Sequence, residues 1–131
     1  MYPIAQWINA ALDNNPAARV MTGCEHLPRT NIMEGAEDYR ILMDLPGVRN
    51  EDLEISLEND ILTVKAQRSL ETPDGYTNRR LEMPGKVEWS RTFDVGGGVD
   101  TEKISAKLDQ GVLTLSLPKS EKNLPRRIQV Q

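Results

Sequence analysis

The chain has 131 residues and a mass of 14.7 kDa, the size of one ordinary domain with short extensions. Its 16 Lys and Arg against 20 Asp and Glu give a net charge of −4, which argues against a phosphate-neutralising nucleic-acid binder. Aromatic residues are only 5%, so the core must be aliphatic, and no run approaches the length of a membrane-spanning helix.

The first 29 residues read as an arm. Ile4, Trp7, Ile8, Ala11 and Leu12 fall on one face of a short helix that Pro3 can open. So short a helix is unstable alone in water, and its apolar face needs a partner. The segment lacks the basic start and unbroken apolar run of a secretory signal. A single cysteine, Cys24, excludes an internal disulfide framework and fits a reducing, cytoplasmic setting. Pro16 and Pro28 punctuate the rest of the arm, which reads as irregular chain.

From Asn31 to Leu117 the apolar period is two, the signature of half-buried strands. Tyr39 to Leu45 forms the first such run and stops at Pro46-Gly47. Leu53, Ile55 and Leu57 alternate with Glu54, Ser56 and Glu58; Leu62, Val64 and Ala66 do the same against Thr63, Lys65 and Gln67. A polar excursion over 67–86 contains the turn signal Pro73-Asp74-Gly75. Val87, Trp89, Arg91 and Phe93 share one face of the next strand, and Gly96-Gly97-Gly98 breaks the chain. Ile104, Ala106 and Leu108, then Leu113, Leu115 and Leu117, complete the series before Pro118. Residues 57–64 and 108–115 repeat one pattern of strand, tight polar turn and strand, with Asp60 and Gly111 where a positive φ is needed. Seven or eight short strands predict an all-β fold, an immunoglobulin-like antiparallel β-sandwich over residues 30–118.

The tail, 119–131, is a flexible polar stretch ending in Ile128-Gln129-Val130. Two β-branched residues two apart point the same way in extended chain, as an anchor for strand addition would require. Charge is divided: residues 30–95 carry 8 positive and 14 negative charges, residues 96–131 carry 6 and 4.

No residue pattern supports catalysis, a metal or a cofactor. His26 and Cys24 adjoin on the irregular arm, where a nucleophile pair or a ligand set is not built. The glycine run has neither phosphate-loop nor dinucleotide spacing. Glu51, Asp52, Glu54 and Glu58 lie on a solvent face, whereas paired acid–base work needs burial. Arg79-Arg80 and Arg126-Arg127 lack the interleaved aromatics of a nucleic-acid groove.

Several segments together resemble the small heat shock proteins, the α-crystallin-domain family, in its bacterial form. Asp44-Leu45-Pro46-Gly47-Val48 with Glu51-Asp52-Leu53 is similar to the family's early strand-turn motif. Ala106-Lys107-Leu108-Asp109-Gln110-Gly111-Val112-Leu113 resembles its Ala-x-x-x-Asn-Gly-x-Leu signature, with Gln110 in place of Asn. Gly85 and Trp89-Ser90-Arg91-Thr92-Phe93 resemble its Gly-x-Phe-x-Arg-x-Phe strand, shifted by two residues after the glycine, and Ile128-Gln129-Val130 its C-terminal anchor.

The resemblance implies a dimer made by exchanging a loop strand around Gly75, Tyr76, Arg79, Arg80 and Leu81. Dimers would join into larger homo-oligomers when Ile128 and Val130 enter an apolar groove of a neighbour. Candidates for that groove are Leu53, Ile55 and Leu57 with Ile104, Ala106 and Leu108, some of which must instead fill the core. The implied function is an ATP-independent holdase for non-native client proteins, which hands them to other chaperones. The arm residues Ile4, Trp7, Ile8 and Leu12 are the expected client contact. Two alternatives remain at this stage: a CS-type interaction module on the same sandwich, or a membrane-surface stress protein using the N-terminal helix. The lack of Lys and Arg on that helix argues against the second, and no integral membrane association is expected.

Overall fold

The computed structural model describes residues 25–121 and 129–130. The expected arm helix with Ile4, Trp7, Ile8, Ala11 and Leu12 lies outside the described residues, as do Cys24 and Ile128.

The alternation read from the sequence appears as strands β3 (Asp38–Asp44), β4 (Leu53–Glu58), β5 (Ile61–Ser69), β6 (Lys86–Asp94), β7 (Ser105–Asp109) and β8 (Val112–Pro118). Two strands precede them, β1 (Glu25–His26) and β2 (Thr30–Glu34). The eight form two four-stranded sheets, ordered β1-β6-β5-β4 and β2-β3-β8-β7. Every pairing is antiparallel except β1 with β6.

Three boundaries differ from the sequence reading. Glu25 and His26, read as irregular arm, pair with Glu88 and Trp89. The excursion is shorter than 67–86, since β5 continues through Ser69 and β6 begins at Lys86. Those strand ends are polar, and hydropathy alone does not separate them from a loop. Ile104 precedes β7; it follows a 3-10 turn at Thr101–Lys103 that Asp100 caps by accepting from Glu102 N.

Register explains the core. Leu62 pairs with Phe93, Val64 with Arg91 and Ala66 with Trp89, so these face the opposite sheet. Ile41 pairs with Leu115, Met43 with Leu113 and Tyr39 with Leu117 on the facing sheet. Leu62, Val64, Phe93, Ile41, Met43, Leu113, Leu115 and Leu117 are all buried. Arg91 lies on the inward face too. Its Nη1 donates to Pro28 O at 3.1 Å and its guanidinium lies 5.8 Å from the Phe93 ring centroid. Burial lowers its pKa, and the hydrogen bond ties the segment between β1 and β2 to the sheet.

Both repeated hairpins close on two residues with positive φ, Asn59 (52°) with Asp60 (63°) and Gln110 (51°) with Gly111 (78°). This is the primed turn geometry whose twist matches the strands. Leu45 N donates to Gly111 O at 2.7 Å, so two of the recognised motifs meet in space.

Gly47 is the tightest position in that region. It has φ +78°, and a Cβ there would lie 2.7 Å from Arg68 Cδ. Arg68 donates to Pro46 O at 3.1 Å and stands 5.5 Å from the Trp89 ring centroid, so it has little room to retreat. Gly47→Ala is expected to cost about 1–3 kcal/mol, seen as a lower urea midpoint.

Candidate functional site, an apolar slot at the sandwich edge

β1 and β2 are edge strands of different sheets, joined by residues 27–29 alone. So short a link places them on one side of the sandwich, which leaves β4 and β7 together on the other.

The six groove candidates lie along this second edge. Leu53, Ile55 and Leu57 pair with Ala66, Val64 and Leu62, so they share the inward face of β4. Ala106 and Leu108 pair with Leu115 and Leu113 and face inward from β7. Leu53, Ile55, Ile104 and Leu108 pack against the core cluster yet stay partly exposed. Leu57 is 38% exposed and Ala106 is exposed. The cause is topological: an inward side chain on an edge strand has a neighbour in its own sheet on one side only. The result is an apolar slot floored by the core and open to solvent.

Of the tail anchor, Val130 is described and is 97% exposed. The chain buries nothing of its own over that side chain.

The second candidate region is the loop 70–85 between β5 and β6. Gly75 (φ +87°) belongs to a turn in which Tyr76 N donates to Pro73 O at 3.1 Å. Tyr76 is 73% exposed, and Leu81 is 71% exposed. Arg79 is exposed, and Arg80 makes a solvent-exposed ion pair with Glu82 at 3.1 Å, the kind that adds little stability. None of Gly75, Tyr76, Arg79, Arg80 or Leu81 is in a strand here. Tyr76, Arg79, Arg80 and Leu81, with Leu70 and Met83, border an open hollow of about 780 Å³. The loop therefore presents apolar side chains that its own sandwich leaves uncovered. β2 is the edge of its sheet among the described residues.

The charged candidates are solvent-facing. Arg49 pairs with Asp52 at 3.0 Å and with Glu51 at 3.3 Å; Glu54 and Glu58 are exposed, as is His26. Among the described residues, no group of three or more His, Cys, Asp and Glu could hold a metal ion. No helix among them is long and apolar enough to cross a membrane.

One polar feature escaped sequence reasoning. Lys119, at the start of the tail, is buried, with Nζ 2.9 Å from Glu34 Oε2 and 5.2 Å from the Tyr39 ring centroid. Burial first, and then Glu34, raises the Tyr39 pKa against the opposing pull of Lys119.

Comparison with known proteins bears on this geometry. The Hsp20/alpha crystallin family matches residues 31–131, which takes in all of β2 but Thr30, every later element and the tail. The chain belongs to the Hsp20/alpha crystallin family. It is a small heat shock protein of bacterial type, and that family comprises chaperones rather than enzymes. The 18 kDa antigen 2 of Mycobacterium avium is 39% identical over 97 residues, 72% of this chain and 67% of that protein. Spore protein SP21 of Stigmatella aurantiaca is 33% identical over 131 residues, 99% of this chain and 78% of that protein. Among solved structures, a small heat-shock protein from Xylella fastidiosa aligns with TM-score 0.66 and 31% identity, covering 81% of this chain and 97% of that one. That structure is described as having a distinct high order structure. Heat shock protein 16.0 from Schizosaccharomyces pombe aligns with TM-score 0.65 and 26% identity, with the same coverage. These small heat shock proteins share the α-crystallin sandwich seen here.

Proposed function

We propose that this protein is an ATP-independent holdase that binds partly unfolded proteins through apolar surface and keeps them from aggregating. The observation that carries the reading is the open slot between β4 and β7, apolar surface left partly exposed at two sheet edges. Exposed apolar surface of this kind marks a site of interaction. Its resting occupant is the Ile128–Val130 anchor of another copy. Dimers form first, by laying the loop segment around Gly75, Tyr76, Arg79, Arg80 and Leu81 on the open β2 edge of a second chain. In this reading residues 30–118 are the sandwich domain, 1–29 the arm and 119–131 the tail.

Energetics favour reversibility. Covering Ile128 and Val130 gains about 1.5–3 kcal/mol each. Ordering three tail residues costs about 1–2 kcal/mol apiece. Each contact is therefore close to balance alone, and several per assembly supply the stability. A client segment displaces such a contact by burying its own apolar surface, and Ile4, Trp7, Ile8 and Leu12 of the arm add to the grip. Clients then pass to other chaperones in the cytoplasm.

The test is to warm a thermolabile client with an equal number of subunits and no nucleotide, then separate by size exclusion. The reading predicts a soluble complex containing both proteins. Client that pellets as fully as without the chain would contradict it and favour a CS-type interaction module.

A further inference from the structure

β2 is an edge strand that its apolar contacts alone hold weakly. It pairs with β3 from Thr30 to Glu34 along one side, and its other edge meets no strand among the described residues. Residues opposite one another in a ladder share a face. Thr30 pairs with Met43, Ile32 with Ile41 and Glu34 with Tyr39, so Thr30, Ile32 and Glu34 form the inward row of β2. Of these, only Ile32 is an apolar side chain packed on the core. Segments with so little buried apolar surface open most readily.

Polar ties hold β2 at both ends. At its start, Asp44 N donates to Arg29 O at 3.1 Å. Pro28 O accepts from Thr30 Oγ1 at 2.9 Å and from Arg91 Nη1 at 3.1 Å. At its end, Lys119 Nζ lies 2.9 Å from Glu34 Oε2 and 5.2 Å from the Tyr39 ring centroid. The Lys119 side chain is 6% exposed, and a buried ammonium survives only if paired, so the contact has one preferred geometry. The lysine itself is fixed. Lys119 N donates to Glu37 O at 2.8 Å, Ser120 N to Gly98 O at 3.2 Å, and Asp100 N to Pro118 O at 2.8 Å, which holds 118–120 from both flanks of β8. Glu34, with its side chain 35% exposed, is the member that can move. The tie reaches it on the inward face, so the backbone edge of β2 stays uncovered.

We propose that Lys119 is a positioning residue for the contact between two copies of this chain: by holding Glu34 it keeps the end of β2 in the sheet, so that the open edge is ready for the partner's strand, an inference that rests on the dimer contact of the proposed function. A strand adds to an edge through main-chain hydrogen bonds, which need the receiving backbone extended and in register. When the end of β2 frays, that edge is shorter and the partner leaves sooner, an effect on the rate of dissociation.

The experiment uses the full chain carrying Glu34→Gln with Lys119→Met, a pair that removes both charges without leaving one buried and alone. Light- and heavy-isotope copies are mixed, and the appearance of mixed dimers is followed by native mass spectrometry. A hydrogen bond between charged groups is worth roughly tenfold in an equilibrium, so mixed dimers are expected to form roughly tenfold faster than with the parent chain. Hydrogen exchange is expected to speed up at residues 32–34 while residues 113–117 keep their protection, which separates a frayed edge from general loss of fold. Should the double variant misfold, Glu34→Gln alone, at its partly exposed position, is expected to shift both readouts the same way. Leu81→Asp, in the loop that the partner lays on β2, tests the dimer contact itself. If Leu81→Asp speeds mixing and the Lys119 variant does not, the proposal is overturned and the dimer contact stands. Faster mixing with unchanged exchange at 32–34 would overturn it as well. If neither variant speeds mixing, the dimer contact and the proposal fall together.

Discussion

Phe93→Ala is expected to cost about 3–5 kcal/mol, a large part of the 5–15 kcal/mol that holds an ordinary domain together. Phe93 is 2% exposed and is the one phenylalanine in a chain whose aromatics are only 5%. Its ring lies on the inward face of β6 beside Leu62, beneath the guanidinium of Arg91 at 5.8 Å. Truncation leaves a cavity in a core filled mostly by Leu, Ile, Val and Met side chains. It also removes the ring face from a half-buried cation. Urea unfolding at several protein concentrations measures the effect, and a midpoint lower by about 2 M is expected for a slope near 1.5–2 kcal/mol per M. A shift below about 0.5 M would mean that Phe93 is not central to the core.

The second large effect is on assembly. Ile128→Ala with Val130→Ala removes most of the apolar area the anchor can bury, roughly 3 kcal/mol or more per tail. The ordering cost of the tail is unchanged, so the balance tips to the free state. Val130 is 97% exposed, so truncating it costs the sandwich nothing. Light scattering after size exclusion is expected to show the large assembly of the parent chain reduced to dimers, with the urea midpoint of the sandwich within error of the parent's. Retention of the large species would place the inter-dimer contact elsewhere.

How far the sequence foretold this arrangement differs by region, for physical reasons. β3 to β8 were legible because each buries one face, and period two is then imposed residue by residue. The inward parity of Leu53, Ile55 and Leu57 was legible by the same rule, since they pair with the inward residues of β5. Alternation could not divide buried core from exposed edge; that division came from β4 and β7 lying at sheet edges. β1 and β2 were missed for a related reason. β1 has two residues, and β2 turns only Ile32 inward as an apolar side chain packed on the core, too few for a period to show. The Glu34–Lys119 contact joins residues 85 apart in sequence, which no local pattern signals. Arg68 looked like the start of a polar loop, yet it crosses Gly47 and bonds Pro46 O, which is why the turn needs glycine.

The most direct measurement is a crosslink between slot and tail. Leu57→Cys and Val130→Cys are introduced in a chain carrying Cys24→Ser, and light- and heavy-isotope subunits are mixed before mild oxidation. Leu57 is the most open apolar side chain of β4, at 38% exposure, and Val130 is 97% exposed. If the slot is where one chain holds another, the β4 peptide of one isotope is recovered disulfide-linked to the tail peptide of the other. Absence of that link, with both thiols still reactive, would contradict the slot as the place where chains are joined.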